Sequence, residues 1–317
     1  MKSGILVIDK PKGISSTGVV NRIKRLTRVK KNGHTGTLDP FATGVLPIAV
    51  GQATRISKYF LKGVKAYYAQ VTLGIETDTY DCTGTVKHTA SSAHLDSLDS
   101  NQVKDVVTGF LGIREQIPPA YSALKYRGQP LYKLARQGQM IQKPARPIKI
   151  MAIAMENFRM DTHNHPVFDM RVTCSGGTYI RSLAHDIGKT LGCGAHLSGL
   201  QRTRAGPFTI EDAVDLDRVE NMSPQDIEDR FIPMSRCLDF LPAVIADRAT
   251  AEKVKHGQPL SPSDIPMPDA LLNAGGKNES QSSHSDIRVL DSDDNLLAIV
   301  TPDKSRKAYK YGCVFNA

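Results

Sequence analysis

Apolar side chains recur along this chain at two different spacings, which predict strands and helices in turn. Short apolar runs, and runs that alternate with a period of two between turn-forming residues, are typical of strands. We predict strands over residues 4–9, 65–73, 148–158 and 167–174, and a further apolar run covers residues 45–50. Within residues 65–73 the alternation places Tyr67 and Ala69 on one face and Tyr68 on the opposite face.

Apolar residues three or four positions apart indicate helices between several of these strands. One helix is predicted from Val19 onward, with basic residues opposite its apolar face and an N-cap at Ser15, Ser16 or Thr17. A second covers residues 101–111, a short third falls in the second half of residues 115–138, and a fourth follows Thr178, which we expect to cap it. Mixed elements of this kind predict an α+β fold around an antiparallel or mixed sheet.

The last quarter of the chain has a different composition. Residues 261–286 are rich in Ser, Pro, Asn and Gly, which predicts a flexible surface insertion. Two apolar runs, residues 287–290 and 296–300, bracket a turn of Asp and Asn and predict a hairpin. We therefore expect a small β-rich unit from about residue 245 to the end.

The charge of the chain favours a polyanionic partner. Lys and Arg total 41 against 32 Asp and Glu, a net charge of +9, and nucleic acid is the usual partner of such a protein. Five basic residues between positions 24 and 31 lead directly into the glycine-rich stretch described below. An excess of basic residues is not sufficient on its own, because many basic proteins bind no nucleic acid.

The cysteines and the hydropathy of the chain bear on its cellular compartment and on whether it holds a metal site. The five cysteines are odd in number and form no CxxC pair, so we expect reduced thiols. The HNHP stretch at residues 163–166 fits a solvated hairpin tip better than a metal site. No apolar stretch approaches the roughly 18 residues of a membrane span, and the N-terminal apolar run is too short for a secretory signal. We expect a cytoplasmic protein that does not engage a membrane.

The most informative stretch is residues 33–48, GHTGTLDPFATGVLPI. It places one carboxylate, Asp39, in a loop of glycine, threonine and proline with apolar residues on both sides. Pro40 fixes its own φ and disfavours helical dihedrals at Asp39, so the loop could hold the carboxylate over a cleft as a catalytic nucleophile. Aspartate before proline is also a common turn residue that bonds the local backbone, and the pair alone leaves both interpretations open.

This stretch resembles the signature loop of the TruB family of pseudouridine synthases, whose catalytic aspartate lies in the same GHTGTLDP context. Three further stretches resemble the family in the same order: residues 65–84, residues 116–138 with QIPPAYSALK, and residues 174–204. The resemblance is dense over residues 4–210. It implies a pseudouridine synthase catalytic domain at 1–240 with an RNA-binding insertion at about 100–150, and a PUA-like β domain at 245–317.

The resemblance also implies site residues. Asp39 would be the catalytic carboxylate, Arg181 the cation that keeps it ionised, and Tyr67 the active-site tyrosine that covers the uracil ring. Tyr179 and Leu200 match positions that contact the uridine, and His34 matches the histidine that takes part in displacing the target base. Lys10 and Pro11 match a motif that braces the active-site loops, and Asp81 falls on an acidic position that we interpret as structural.

Pseudouridine formation breaks the N1–C1′ bond, turns the uracil and joins its C5 to the same ribose carbon. No redox change or external group is involved, so the resemblance implies neither cofactor nor metal. A carboxylate can act as the nucleophile, as in retaining glycosidases. Attack at C1′, attack at C6 and removal of a sugar proton all remain open.

The implied substrate is the T-loop uridine at conventional position 55 of tRNA, bound without a guide RNA by what we expect to be a monomer. Candidate contacts to RNA phosphates are the basic residues Lys24, Arg25, Arg28, Lys125, Arg127, Lys133, Arg136, Arg202 and Arg204. Two alternatives stay open: an RNA-binding protein that folds tRNA with secondary or no catalysis, and a synthase that acts on another RNA.

Overall fold

The first two thirds of the chain are organised around one mixed sheet. The computed structural model describes residues 3–266, 286–303, 305 and 308–315. Their strands, in chain order, are β1 (Gly4–Lys10), β2 (Asn32–His34), β3 (Thr43–Val50), β4 (Lys65–Leu73), β5 (Ile75–Thr77), β6 (Val86–Thr89), β7 (Gly112–Gln116), β8 (Lys125–Tyr126), β9 (Gln129–Pro130), β10 (Arg146–Met160), β11 (Pro166–Cys174), β12 (Ala195–Ala205), β13 (Phe208–Thr209), β14 (Val214–Asp215), β15 (Ala243–Ile245), β16 (Ile287–Leu290), β17 (Leu296–Asp303) and β18 (Ala308–Val314).

Helices pack on this sheet and on the smaller C-terminal sheet described below. They are α1 (Ser16–Thr27), α2 (Lys58–Leu61), α3 (Ser92–Asp96), α4 (Ser100–Thr108), α5 (Leu131–Arg136), α6 (Ile180–Thr190), α7 (Leu216–Glu220), α8 (Pro224–Asp229), α9 (Met234–Cys237) and α10 (Arg248–Lys255), with a 3₁₀ helix at Gly51–Ile56. None of the helices within the described ranges combines the length and the apolar character needed to cross a membrane.

The strand order is β14-β1-β3-β12-β4-β11-β10-β7, with β2 paired to β3 and β13 to β12. Most neighbours are antiparallel, but β1–β14 and β3–β12 are parallel. The predicted α+β class with a mixed sheet is therefore confirmed. The parallel pair β3–β12 lies near the middle of the sheet, and the loop that carries Asp39 enters β3 at this point.

Two adjacent apolar layers hold α1 and α6 on one face of the sheet. Val19 and Ile23 of α1 pack with residues of β1 and β3, as the helical spacing predicts. Leu183 and Ile187 of α6 pack with residues of β4, β10, β11 and α4, and the side chain of Tyr67 contacts both layers. Each fully buried side chain of this size contributes about 1.5–3 kcal/mol to the free energy of unfolding. The layers thereby fix α1 and α6, which flank the Asp39 loop.

The helix starts differ in how well the sequence predicts them. Ser15 is the N-cap of α1, and its side chain accepts a hydrogen bond from the backbone N–H of Gly18. The prediction that Thr178 caps α6 was wrong. The N-cap is Tyr179, and the Thr178 hydroxyl donates instead to the backbone carbonyl of Ser175.

The C-terminal part forms a four-stranded sheet in the order β15-β16-β17-β18. Its residues Leu290 and Ile299 share a buried apolar cluster with Ile5 and Val45 of the large sheet. Residues 291–295 form the predicted hairpin turn, with Asp294 in the left-handed region at φ 62°. Residues 267–285, most of the predicted flexible insertion, lie outside the described residues, and both the insertion and the PUA-like character stay predictions.

Gly44 allows the close contact between the two central parallel strands. Its φ is +99°, and a Cβ at this position would lie 2.2 Å from the backbone oxygen of Arg202 on β12. We expect Gly44→Ala to lower the free energy of unfolding by at least about 3 kcal/mol, because it combines backbone strain with a clash against a backbone that cannot move aside.

Denaturant unfolding of Gly44→Ala and of Gly33→Ala, a matched control, tests this prediction. A Cβ on Gly33 would meet no heavy atom within 4 Å, and its backbone is not left-handed. Equal stability losses in the two variants would contradict the assigned role of Gly44.

Candidate active site

The Asp39 loop, strands β4 and β12 and the start of α6 together enclose a cleft of about 350 Å³. The five side chains proposed as catalytic or as uridine contacts, apart from His34, all line it: Asp39, Tyr67, Tyr179, Arg181 and Leu200. They come from four separate segments of the chain and meet only because the strand order places β12 between β3 and β4.

The Asp39 loop is fixed by the segment that joins β1 to α1. The backbone carbonyl of Pro40 accepts hydrogen bonds from the Gly13 N–H at 2.7 Å and from the Lys10 ammonium at 3.3 Å. One residue before Asp39, both backbone groups of Leu38 pair with the Ser16 hydroxyl at 2.8 Å. These contacts hold the Asp39 backbone in one position, as a preorganised site requires.

Asp39 and Arg181 form a two-point ion pair. The Arg181 Nε lies 2.9 Å from one carboxylate oxygen of Asp39, and Arg181 Nη2 lies 3.3 Å from the other. The Arg181 side chain is only 3% exposed, whereas that of Asp39 is 34% exposed and reaches the cleft. Contacts to both carboxylate oxygens restrict the orientation of Asp39, and the positive charge stabilises its ionised form.

Burial raises the pKa of Asp39 above its ordinary value, and the Arg181 charge opposes that rise. A second carboxylate, Asp81, adds to the rise through repulsion. Asp81 is buried, and one of its oxygens lies 3.5 Å from Arg181 Nη1. One guanidinium therefore stabilises two carboxylates, and Asp39 depends on it to stay ionised.

The remaining donors of Arg181 are also used. They donate to the backbone carbonyls of Thr79 at 2.9 Å and Tyr121 at 2.8 Å. The sequence interpretation of Asp81 as structural fits its bonds within its own loop, where it accepts from the hydroxyls of Thr79 and Thr83. That interpretation did not include its contact with Arg181, which carries no signal in the sequence.

Tyr67 and Leu200 form an apolar surface of the cleft. The register of β4 and β12 pairs Tyr67 with Arg202 and Ala69 with Leu200, so Tyr67 and Leu200 project from the same face. Burial raises the pKa of the Tyr67 hydroxyl, while the neighbouring Arg202 charge and hydrogen bond act against this rise. Tyr67 is thus a neutral ring beside Asp39, suited to contact a planar base.

Arg202 is not a phosphate contact, and this prediction is corrected. It is 2% exposed, and its guanidinium donates to the backbone carbonyls of Val45, Thr37 and Gly36 at 2.8, 3.3 and 3.1 Å. These three carbonyls belong to the Asp39 loop and the strand that follows it. Arg202 therefore joins the Asp39 loop to β12 through these hydrogen bonds.

Arg202→Met should destabilise the protein by about 3 kcal/mol, because it leaves several buried carbonyls without their donor. Arg204→Met is the matched control, since Arg204 lies two residues further along β12 and is exposed. Denaturant unfolding of both variants gives the comparison, and a loss at Arg204 equal to that at Arg202 would contradict the assigned role.

His34 lies on β2, outside the cleft lining but next to it. Its ring Nδ1 accepts a hydrogen bond from the backbone N–H of Gly36 at 3.4 Å. Burial, and then the positive charge of Arg202, lower the pKa of His34 below its ordinary value. The imidazole is therefore neutral at pH 7, a flat and amphipathic ring at the edge of the Asp39 loop.

Two basic side chains at the cleft were missed from the sequence. Lys65 donates to the backbone carbonyls of Phe60, Leu61 and Gly63, and burial together with Arg202 lowers its pKa to about 8. Arg146 lies over the ring of Tyr179, with its guanidinium carbon 5.1 Å from the ring centroid. Lys65 lies on the same face of β4 as Tyr67, and this position in the alternation could have predicted that it faces inward. Nothing in the sequence around Arg146 indicates that it lies at the cleft.

The other predicted phosphate contacts lie on the surface. Exposed basic side chains occupy all eight remaining positions, Lys24, Arg25, Arg28, Lys125, Arg127, Lys133, Arg136 and Arg204. Three of these follow the outer side of α1 and its C-cap, immediately before the His34 strand. Their contact with RNA stays a prediction.

The chemistry available at this cleft is that of one oriented carboxylate between neutral, planar and apolar side chains. Across the described ranges, no group of three His, Cys, Asp or Glu side chains has the arrangement of a metal site. Asp39 can act as a nucleophile or base toward a group placed against Tyr67 and Leu200.

Two family models match adjacent parts of the chain. The first, described as TruB family pseudouridylate synthase (N terminal domain), covers residues 24–180. The second, tRNA pseudouridylate synthase B C-terminal domain, covers residues 181–239. Their border falls at the first turn of α6, and the second match ends before β15.

Similar proteins extend this match. The chain is 42% identical over 297 residues to a tRNA pseudouridine synthase B of Burkholderia pseudomallei, covering 93% of this chain and 92% of the relative. It is 49% identical over 221 residues to one of Francisella tularensis, covering 70% and 71% of the two chains. Among solved structures it resembles a chain of an H/ACA ribonucleoprotein bound to a substrate RNA containing 2′-deoxyuridine, with a TM-score of 0.68 and 25% identity over 99% of this chain and 85% of the other.

Proposed function

Because the chain belongs to the TruB family of pseudouridylate synthases, we propose that it is a tRNA pseudouridine synthase in which Asp39 is the catalytic carboxylate. The observation that carries this assignment is the two-point pairing of Asp39 with Arg181 at the side of the cleft. A protein that only folds RNA has no need of an oriented, ionised carboxylate, so the pair favours an enzyme.

The reaction begins with a uridine turned out of its stack, which costs a few kcal/mol. The uracil enters the cleft between Tyr67 and Leu200, while Tyr179 lies at its rim. His34, a neutral ring beside the entrance, fills the stacking position that the base leaves. These contacts offset part of the cost of base flipping through stacking and burial.

Asp39 then acts in its ionised form, held toward the cleft by Arg181. Attack at C1′, attack at C6 and removal of a sugar proton all require a free lone pair on this carboxylate. The N1–C1′ bond breaks, the uracil turns within the apolar pocket, and C5 joins C1′. The proton of C5 is released to solvent, and N1 takes up one proton in exchange, so the product is an isomer of the substrate. Tyr67 covers the ring throughout and keeps water from the intermediate.

We propose the T-loop uridine at position 55 as the target, reached without a guide RNA by a monomer in the cytoplasm, where tRNA is found. The exposed cations of α1 and of residues 125–136 contact the phosphates on either side of the cleft. Such contacts position the RNA without reading its bases, so the choice of uridine depends on the fold of the T loop.

The test is a tritium-release assay on a bare T-stem-loop transcript that carries [5-³H]uridine, with the purified chain as the only protein. Release in an amount equal to the target uridine is expected, and a transcript with cytidine at that position is the control. Absence of release from this RNA, together with release from another RNA or only in the presence of a guide, would overturn the proposed substrate.

A further inference from the structure

Tyr80 adopts a backbone conformation that an aromatic residue rarely has. Its φ is +60°, in the left-handed region, between the end of β5 and Asp81. Such a residue persists only where its surroundings hold it in place, and these positions are often functional. Tyr80 takes no part in the chemistry described above, so its unusual backbone conformation has another cause.

The ring of Tyr80 is stacked on His185 of α6. The two ring centroids are 4.0 Å apart and the planes differ by 17°. The His185 Nδ1 is buried without a hydrogen bond and faces the Glu76 carboxylate at 3.6 Å. The Tyr80 backbone carbonyl also accepts from the Leu197 N–H on β12. Tyr80 is therefore held by both α6 and β12.

His185 lies four residues after Arg181, one helical turn away on the same face of α6. The two chain neighbours of Tyr80 both contact Arg181: the Thr79 carbonyl at 2.9 Å and the Asp81 carboxylate at 3.5 Å. The loop thus meets α6 at two points, the stack and the guanidinium.

We propose that Tyr80 and His185 are positioning residues for Arg181. Their stack fixes the loop of residues 78–81 against α6, so that Thr79 and Asp81 hold the guanidinium at the angle at which its Nε and Nη2 reach Asp39. Hydrogen bonds from Thr79 and Thr83 hold Asp81 within its own loop, whereas the stack joins the loop to the helix.

This inference rests on the proposed function and makes it more specific. Loss of the stack lets the loop shift relative to α6, and Arg181 then loses its fixed orientation while keeping its charge. Such a change lowers the rate of the chemical step and leaves RNA binding unaffected, because neither Tyr80 nor His185 lines the cleft.

The experiment compares Tyr80→Asn with Tyr80→Phe. Asn tolerates a positive φ but removes the ring, whereas Phe keeps the stack and removes the hydroxyl. In single-turnover assays we expect Tyr80→Asn to lower the rate by about 10–100-fold with Kd for the T-stem-loop unchanged, since small misplacements of catalytic groups have effects of this size. Tyr80→Phe should keep the wild-type rate, and both variants should unfold at similar temperatures.

His185→Ala removes the same stack from the α6 side and leaves the loop sequence unchanged. It should lower the single-turnover rate as much as Tyr80→Asn does, and the double variant should be no slower than either, as expected for two residues that act through one contact. The Arg181 Nε–H resonance, assigned by its absence in Arg181→Lys, should shift in both single variants and not in Tyr80→Phe.

The outcomes separate this inference from the proposed function. If the wild-type chain releases no tritium, the function is wrong, while the Arg181 resonance still reports on the positioning. If the wild type is active and Tyr80→Asn keeps its rate, or if Tyr80→Phe is as slow as Tyr80→Asn, or if the resonance does not shift, the positioning role is wrong.

Discussion

Asp39→Asn is expected to abolish pseudouridine formation, with a fall in rate of at least about a thousandfold, a size of effect seen when a catalytic side chain of this kind is replaced. Asn has nearly the same shape as Asp, so it can occupy the same place in the braced loop between Leu38 and Pro40. It offers no anionic oxygen, and attack or proton removal therefore stops. Single-turnover tritium release from the T-stem-loop measures the loss.

RNA binding by Asp39→Asn should remain within about twofold of the wild type, because a neutral residue of the same size changes no phosphate contact. Its melting temperature should be equal or higher, since the substitution relieves the cost of a partly buried charge that is repelled by Asp81. Filter binding and thermal unfolding serve as the controls. Tritium release at the wild-type rate would remove Asp39 from the mechanism.

Local patterns in the sequence predict much of the fold. The alternation in residues 65–73 corresponds to β4, and the helical spacing from Val19 onward lies within α1. These predictions succeed because the spacing of apolar residues within a single segment already shows which of its faces is buried. The cap of α6 was predicted wrongly because both Thr178 and Ser175 can bond locally, and the sequence alone does not indicate which backbone group a hydroxyl will choose.

The sequence was least informative about contacts between segments that are far apart along the chain. Arg202 follows a polar residue near other basic residues, and nothing local distinguishes it from the exposed Arg204. Its burial follows from the parallel pairing of β12 with β3, which places it beneath the carbonyls of residues 36, 37 and 45. The motif around Asp39 points to the proposed catalytic carboxylate, whereas only the folded sheet shows that a second carboxylate shares the cation of Asp39.

Because one guanidinium is shared between two carboxylates, the ionisation of Asp39 depends on where Arg181 lies. Burial and Asp81 both raise its pKa, and Arg181 opposes them. A group whose pKa is raised in the folded protein becomes protonated, as pH falls, at a higher pH than usual. Activity that needs the ionised form is therefore lost on the acidic side, and its midpoint reports how well Arg181 is placed.

Arg181→Lys should lower the single-turnover rate by about a hundredfold while changing Kd for RNA by less than about twofold. Lysine keeps the charge but replaces the planar fork with a single ammonium, which cannot reach both oxygens of Asp39 and the carbonyls of Thr79 and Tyr121 together. Arg248→Lys makes the same exchange at an exposed position of α10 that is not a predicted RNA contact, and should leave both quantities unchanged.

The pH dependence of the rate provides a test in which the acidic limb should move in opposite directions in two variants. In Arg181→Lys the carboxylate of Asp39 is less well stabilised, its pKa rises further, and the acidic limb of the rate profile moves to higher pH. In Asp81→Asn a repelling charge is removed, the pKa of Asp39 falls, and the limb moves to lower pH. Single-turnover rates from about pH 5 to pH 8 measure both shifts. Shifts in the same direction, or none in either variant, would mean that the ionisation of Asp39 is not governed by Arg181.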